Sequence, residues 1–469
     1  MGLAQLVRQK EVTPSELLSC ALTSATHINP EINAISEWYV QDAKREVKSL
    51  GLECTFAGVP FLIKDLVLDM AGTTCRQGST LTLDAPAPQD SALMTRFRSA
   101  GLVTFGRTAT PAFGAHLATA SLLHGETLNP WNAAYSPGGS SGGAAAAVAA
   151  GITPLAHAND GLGSIRVPAS ACGLFGLKPT KQRTPTGPMH GDLLNGRGVE
   201  FAVCRSVRDA ASLLDVTHGP DPGAPYLIPP PTRSYASTIG RPPEPLRLAF
   251  TTNSFSGCTI DANAADAVRQ LATLCEYLGH SVEERSIGLD WEEYLEGLFV
   301  TVIAGTYSAI DRTCRLSGTE PSKDNLEPHL ISIYERGSKF TAGELLRAQA
   351  LLATSQRRTG RIFEEIDAYI TPVLSSAPLK TGAIDAYSDL DSFWKCFAAD
   401  DLSPFVGLFN ITGQPAASVP ISFPNDAPPV GVQIISRFGR EDILLALAKQ
   451  IEQARPWSHH CPPVHVKHL

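Results

Sequence analysis

Residues 136–180 read SPGGSSGGAAAAVAAGITPLAHANDGLGSIRVPASACGLFGLKPT, with nine glycines and five serines among 45 residues. Glycine at that density means backbone N–H groups brought close to something, and the rest of the fold has to accommodate the approach. Two turns inside the segment set serine beside open amides. One is Gly138-Gly139-Ser140-Ser141-Gly142-Gly143, running into an Ala-rich helix, and the other is Gly161-Leu162-Gly163-Ser164 before Ile165-Arg166.

A nucleophilic serine needs a base to take its proton and amides to hold the oxyanion. Gly139 to Gly143 also matches the G-x-S-x-G nucleophile elbow of α/β-hydrolases. That elbow follows a β-strand, whereas Asn132 to Pro137 (NAAYSP) has no strand character, and no catalytic histidine is evident downstream, so the match is set aside. The alternative base is Lys64, inside Gly58 to Leu68 (GVPFLIKDLVL), a strand-like apolar run broken only by Lys64 and Asp65. Desolvation there favours the neutral amine, which accepts a proton through a relay serine. The plainer reading of those two charges is a structural Lys64–Asp65 ion pair.

The flanking chain reads as alternating α and β elements. Leu3 to Val7 and Pro14 to Ala25 are short helices, the second with Thr13 as cap and Glu16 at the capping-box position. Gly101 to Arg107 and Leu155 to Ala158 are strand candidates. Residues 216–245 carry nine prolines and form an extended surface connection between an N-terminal half (1–215, with a core over 55–185) and a C-terminal half (246–469). Beyond it, Leu246 to Phe250, Asp261 to Leu278 and Ser281 to Arg285 make a β-α-β unit, and the same style returns in Ile362 to Leu374 and Val430 to Gln453.

Composition excludes several function classes. The 38 Lys plus Arg against 46 Asp plus Glu give 38 − 46 = −8, without the basic patches that nucleic acid requires. Ala144 to Ala156 is too short and small-sided to span a bilayer, and Met1 to Leu18 is too charged for a secretory signal. Ten scattered cysteines without a CxxC pair fit reduced thiols in a cytoplasm. Cys75 and Cys314 read as small buried hydrophobes, with lining of an acyl pocket as their functional alternative. His459, His460, His465 and His468 with Cys461 fit no zinc spacing and read as a solvated tail, so no metal is expected.

Three motifs in this order resemble the amidase signature family: Gly58-Val59-Pro60-Phe61-Leu62-Ile63-Lys64-Asp65, then Gly138 to Gly143, then Gly163-Ser164-Ile165-Arg166-Val167-Pro168, spaced 140 − 64 = 76 and 164 − 140 = 24 residues apart. Asn129 to Asn132, Gly176 to Thr180, Arg205 to Asp209, Asp367 to Pro372, Asn410 to Pro420 and Pro429 to Gln433 look like further landmarks, so the likeness covers nearly the whole chain. It implies a single α/β amidase domain over 1–469, with a large central mixed β-sheet covered by helices on both faces. It also implies a cofactor-free hydrolase of small linear, cyclic or aryl amides acting through an acyl-enzyme. In that scheme Ser164 is the nucleophile, Ser140 the relay after a cis peptide at Gly139, and Lys64 the base. The amides of Gly161, Leu162, Gly163 and Ser164 form the oxyanion hole, with Ser141 supporting the relay. Asp160 and Arg166 read as a mutual pair bracing the turn rather than substrate contacts. A homodimer is the base-rate expectation.

The pattern departs from the family in places. Ala158-Asn159-Asp160-Gly161-Leu162-Gly163-Ser164 replaces the usual Gly-[Thr/Ser]-Asp-x-Gly-Gly-Ser, and its Asn-Asp resembles the branch that includes the cyclic dimer hydrolases of nylon oligomers. Leu162 must fit the turn and walls off part of a pocket. Arg107-Thr108-Ala109-Thr110-Pro111-Ala112-Phe113 loses a polar pair at Ala109 and Ala112. Two other functions stay open: the glutaminase subunit of a tRNA-dependent amidotransferase, which a tRNA-binding partner would reveal, and a decayed amidase-fold binding protein, suggested by Leu162. Specificity is expected in Pro188 to Val199 and Trp291 to Glu344.

Overall fold

Apolar β-branched runs alternating with amphipathic ones become, in a computed structural model, a mixed sheet with helices around it. The structure describes residues 1–82, 84–382, 389–396 and 402–469. Its strands are β1 (Ile35–Trp38), β2 (Val59–Lys64), β3 (Leu102–Thr108), β4 (Ala120–Ser121), β5 (Gly125–Glu126), β6 (Leu155–Asp160) and β7 (Phe175–Lys178). They continue as β8 (Val199–Cys204), β9 (Arg247–Phe250), β10 (Ser281–Glu284), β11 (Ala368–Pro372), β12 (Ala416–Ser422) and β13 (Val430–Ser436).

Eight strands form the large sheet in the order β10-β9-β11-β13-β12-β7-β8-β6. β10, β9 and β11 run parallel, and every later pairing is antiparallel. Chain from both sides of the proline-rich connection enters this sheet, meeting where β7 pairs β12 with Leu177 opposite Ala417. A second sheet, β1-β3-β2, brings β2 beside the β6 edge. One apolar cluster runs through both, including Leu62, Val103, Ala156, Leu177, Val419 and Ile434.

Local chemistry explains the elements. The Thr13–Glu16 capping box starts a helix that runs from Pro14 to Ile32, past the expected end at Ala25. β2 stops at Lys64, four residues short of the apolar run's end, because the following chain turns to wrap Asp65, whose carboxylate accepts the amides of Arg76 (2.7 Å) and Gly78 (3.1 Å). The Ala-rich helix Gly142–Ala149 is buried on every side. Only small residues allow this, since a Cβ on Gly143 would lie 2.6 Å from backbone atoms of Ala34 and Ala109.

The proline-rich connection is held to the surface by donors from the N-terminal half: Arg183 Nη1 reaches the Pro229 carbonyl at 2.7 Å, and Arg96 reaches those of Thr217, His218, Gly219 and Pro220. In the histidine-rich C-terminus His459, His460 and His468 are exposed, as expected of a solvated tail, and His465 alone of the four departs from that expectation. Trp457 is buried with its indole on the Arg205 carbonyl, His460 stacks on Phe423 at 4.0 Å, and His465 is buried near Gly151.

Arg183 also makes a buried pair with Glu441, at 3.0 Å to Oε1 and 3.1 Å to Oε2, joining the two halves. Arg183→Met strands that carboxylate and is expected to cost about 3–5 kcal/mol. Urea unfolding reads the loss directly, and a change below about 1 kcal/mol would contradict the assignment.

Candidate active site

Residues 157 and 159 of β6 share one face, because side chains alternate along a strand. That face holds Lys64 at both ends. The Lys64 amide donates to His157 Nδ1 at 3.2 Å, and its Nζ donates to Asn159 Oδ1 at 2.7 Å. Nζ also donates to Ser140 Oγ at 2.7 Å. Lys64 is therefore not the ion-pair partner of Asp65, which caps backbone amides instead.

Ser140 arrives from the Gly138–Gly143 turn, whose Gly139–Ser140 peptide is cis. Glycine at 139 lets this turn lie against the chain, since a Cβ there would sit 2.6 Å from the His116 carbonyl. The next residue ties the turn to the second serine segment: Ser141 Oγ donates to the Asn159 carbonyl at 3.2 Å, and the Ser141 amide to the Ser164 carbonyl at 3.3 Å.

Asp160, at the end of β6, organises that second segment. Its carboxylate accepts the Gly163 amide at 2.6 Å, the Ile165 amide at 3.2 Å, and both Nε and Nη2 of Arg166 at 2.9 Å. The Arg166 guanidinium beside it holds the Asp160 carboxyl far below the usual carboxylate range, against the effect of burial. Val406, Asn410 and Gln433 accept the remaining Arg166 donors. Asp160 and Arg166 thus brace the turn: the carboxylate oxygens are taken up by these donors and every guanidinium N–H has an acceptor within the protein. Gly163 drops from the expected oxyanion donors for the same reason. The amides of Gly161, Leu162 and Ser164 have no acceptor among the described residues.

These groups border a cavity of about 990 Å³ lined in part by Ser140, Asn159, Gly161, Leu162 and Ser164. Lys64 lies behind Ser140, fully buried. Leu162 packs against the apolar cluster that includes Tyr294, Leu298 and Leu408 and lines the cavity. Both stretches expected to carry specificity contribute: Met189, His190 and Leu194 from one, Val302, Ala309 and Arg312 from the other. Cys75 borders the cavity; Cys314 does not, packing instead with Ile303, Ile310 and Leu330. Phe113 reaches the cavity beside the Ala112 departure, and Ala112 itself joins that core.

Burial dominates the electrostatics of Lys64, pushing its pKa down to about 7 although Asp160, Glu200 and Cys75 act to raise it. Burial also pushes the Cys75 thiol up to about 12, so it is uncharged. The partnership of Asn159 with Lys64 was not readable as such; its signal is the two-residue spacing from His157 on a strand. No cluster of three or more metal-ligating side chains occurs among the described residues.

Because Lys64 loses its proton more readily folded than unfolded, the unfolded state binds more protons between about pH 7 and 10.5, and stability rises with pH across that window. Lys64→Met removes this dependence. Its stability advantage over the parent is expected to shrink steadily from pH 7 to pH 10 in denaturant titrations. A constant advantage would show that the folded lysine titrates normally.

Comparison with known proteins matches residues 16–445 to the Amidase family model. The 6-aminohexanoate-cyclic-dimer hydrolases of Paenarthrobacter ureafaciens and of Pseudomonas sp. (strain NK87) are 36% and 35% identical, each over 97% of this chain and 94% of its own length. A solved structure of 6-aminohexanoate cyclic dimer hydrolase complexed with substrate superposes with a TM-score of 0.93 at 34% identity, covering 99% of this chain and 98% of that one.

Proposed function

This chain belongs to the amidase signature family, whose members hydrolyse carbon–nitrogen amide bonds, and on that footing we propose that it works through a Ser164–Ser140–Lys64 relay. The observation that carries the reading is the 2.7 Å contact from Lys64 Nζ to Ser140 Oγ, with the lysine behind the serine and the serine at the cavity wall.

In this scheme Ser164 Oγ attacks the amide carbon while its proton passes to Ser140, whose own proton passes to Lys64 Nζ. The amine must be neutral to receive it, and burial supplies that near pH 7. Charge then develops on the former carbonyl oxygen, where the free amides of Gly161, Leu162 and Ser164 can stabilise it. Collapse of the tetrahedral intermediate breaks the C–N bond, and the proton returns from Lys64 through Ser140 to the leaving nitrogen. Water, deprotonated along the same path, then hydrolyses the acyl-Ser164 ester.

The substrate class follows from the cavity wall, where Val67, Pro86, Phe113, Leu162, Met189 and Val302 present apolar surface. A small amide with a substantial apolar acyl part suits it, linear, cyclic or aryl. Cyclic amides come first in any panel because both relatives are named for a cyclic dimer. The retained serine–lysine contact and the open Leu162 amide speak against a decayed scaffold.

Ser164→Ala is expected to reduce turnover of such an amide by about 10³-fold or more with folding intact. Retained turnover would exclude Ser164 as nucleophile. For the parent enzyme, kcat/KM should rise with pH along a limb centred near 7 and hold above pH 8. A profile falling above pH 8 would exclude a neutral lysine as base.

A further inference from the structure

The relay places a proton on a lysine in a dry site, and the lysine's surroundings raise the question of what balances that charge. Asp160 is committed to Arg166. Asp65 is committed to two backbone amides and faces His124 at 3.7 Å. The Cys75 thiol is uncharged. Arg107, whose Nη1 donates to the Lys64 carbonyl at 3.1 Å, brings a further positive charge. The remaining carboxylate is Glu200 on β8, fully buried and placed opposite Asn159 in the β6–β8 register. Residues opposite one another in an antiparallel pair share a face. Glu200 therefore lies on the same face as His157, Asn159 and the lysine they hold.

Glu200 Oε1 lies 3.3 Å from His157 Nε2, and Asp69 and His190 are its further ionisable neighbours. Because His157 Nδ1 accepts the Lys64 amide, the ring proton of the neutral imidazole sits on Nε2, the nitrogen near Glu200, without forming a hydrogen bond to it. Burial lowers the His157 pKa, so the ring brings no charge of its own at neutral pH. A buried carboxylate facing a neutral ring, with a buried amine on the same face, is a costly arrangement for stability alone. It has a use if the amine becomes an ammonium in every cycle.

We infer that Glu200 and His157 form a buried positioning pair for Lys64, in which His157 fixes the lysine backbone and Glu200 supplies the counter-charge for the ammonium formed during turnover. The inference rests on the serine–lysine relay. Neither residue touches substrate; both act through Lys64.

The test is the pH profile of Glu200→Gln, a substitution that keeps shape and removes charge. Without the carboxylate the ammonium is less stable, so the acid limb of kcat/KM is expected to move down by about one pH unit. The kcat plateau should fall about tenfold with KM held within about threefold. A brace with no electrostatic role would leave the limb in place, and a shift below about 0.3 unit overturns the inference. Should Glu200→Gln not fold, Lys64→Met/Glu200→Gln decides the question. With no amine to balance, the double variant is expected to fold, and its failure to do so would make Glu200 a structural brace and overturn the inference. Ser164→Ala, assayed alongside, separates the two claims: if it still turns over substrate the relay itself fails, whereas if it is inactive and the limb is unmoved, only the role of Glu200 and His157 falls.

Discussion

The contact between Lys64 and Ser140 is the interaction around which the rest of the site is arranged. A lysine amine buried at the end of β2 keeps no water, so every donor and acceptor it needs must come from protein. Asn159 and Ser140 supply two acceptors at 2.7 Å, and His157 accepts the backbone amide. Those three partners come from β6 and the 138–143 turn, which is why β2 lies beside the large sheet's edge strand although it pairs only with β3. Burial that costs stability also sets the proton affinity that a base working near neutrality needs.

A second constraint is rigidity of the Ser164 turn. Catalytic amides stabilise a developing charge only if they need not reorganise. Here one carboxylate, Asp160, fixes the Gly163 and Ile165 amides and pairs with Arg166, which in turn is held by Val406, Asn410 and Gln433 from the far half of the chain. The turn is thus anchored across the sheet, and the Arg183–Glu441 pair fastens the same two halves nearby.

Much of this was legible in the sequence because the chemistry was local. The two serine turns and the lysine in its apolar run announced themselves by composition, and β2, β3, β9 and β10 appeared within a few residues of their expected limits. What stayed hidden depended on tertiary placement. The Gly163 amide looked as available as its neighbours until Asp160 was seen to occupy it. The grouping of His157, Asn159 and Glu200 could not be read from the sequence, since only the β6–β8 register and the approach of β2 put them around one amine. The docking of Trp457 and His465 was missed because these anchors find their partners far away in sequence at Arg205 and Gly151.

The measurement that bears most directly on the account is intact-mass spectrometry with peptide mapping after exposure to phenylmethylsulfonyl fluoride, which sulfonylates activated serines. The account predicts one label, on Ser164, that is lost when Lys64 is replaced by alanine in a protein that remains folded. Labelling of Ser164 that persists undiminished in Lys64→Ala would contradict it, because the serine would then be activated by something other than the buried lysine.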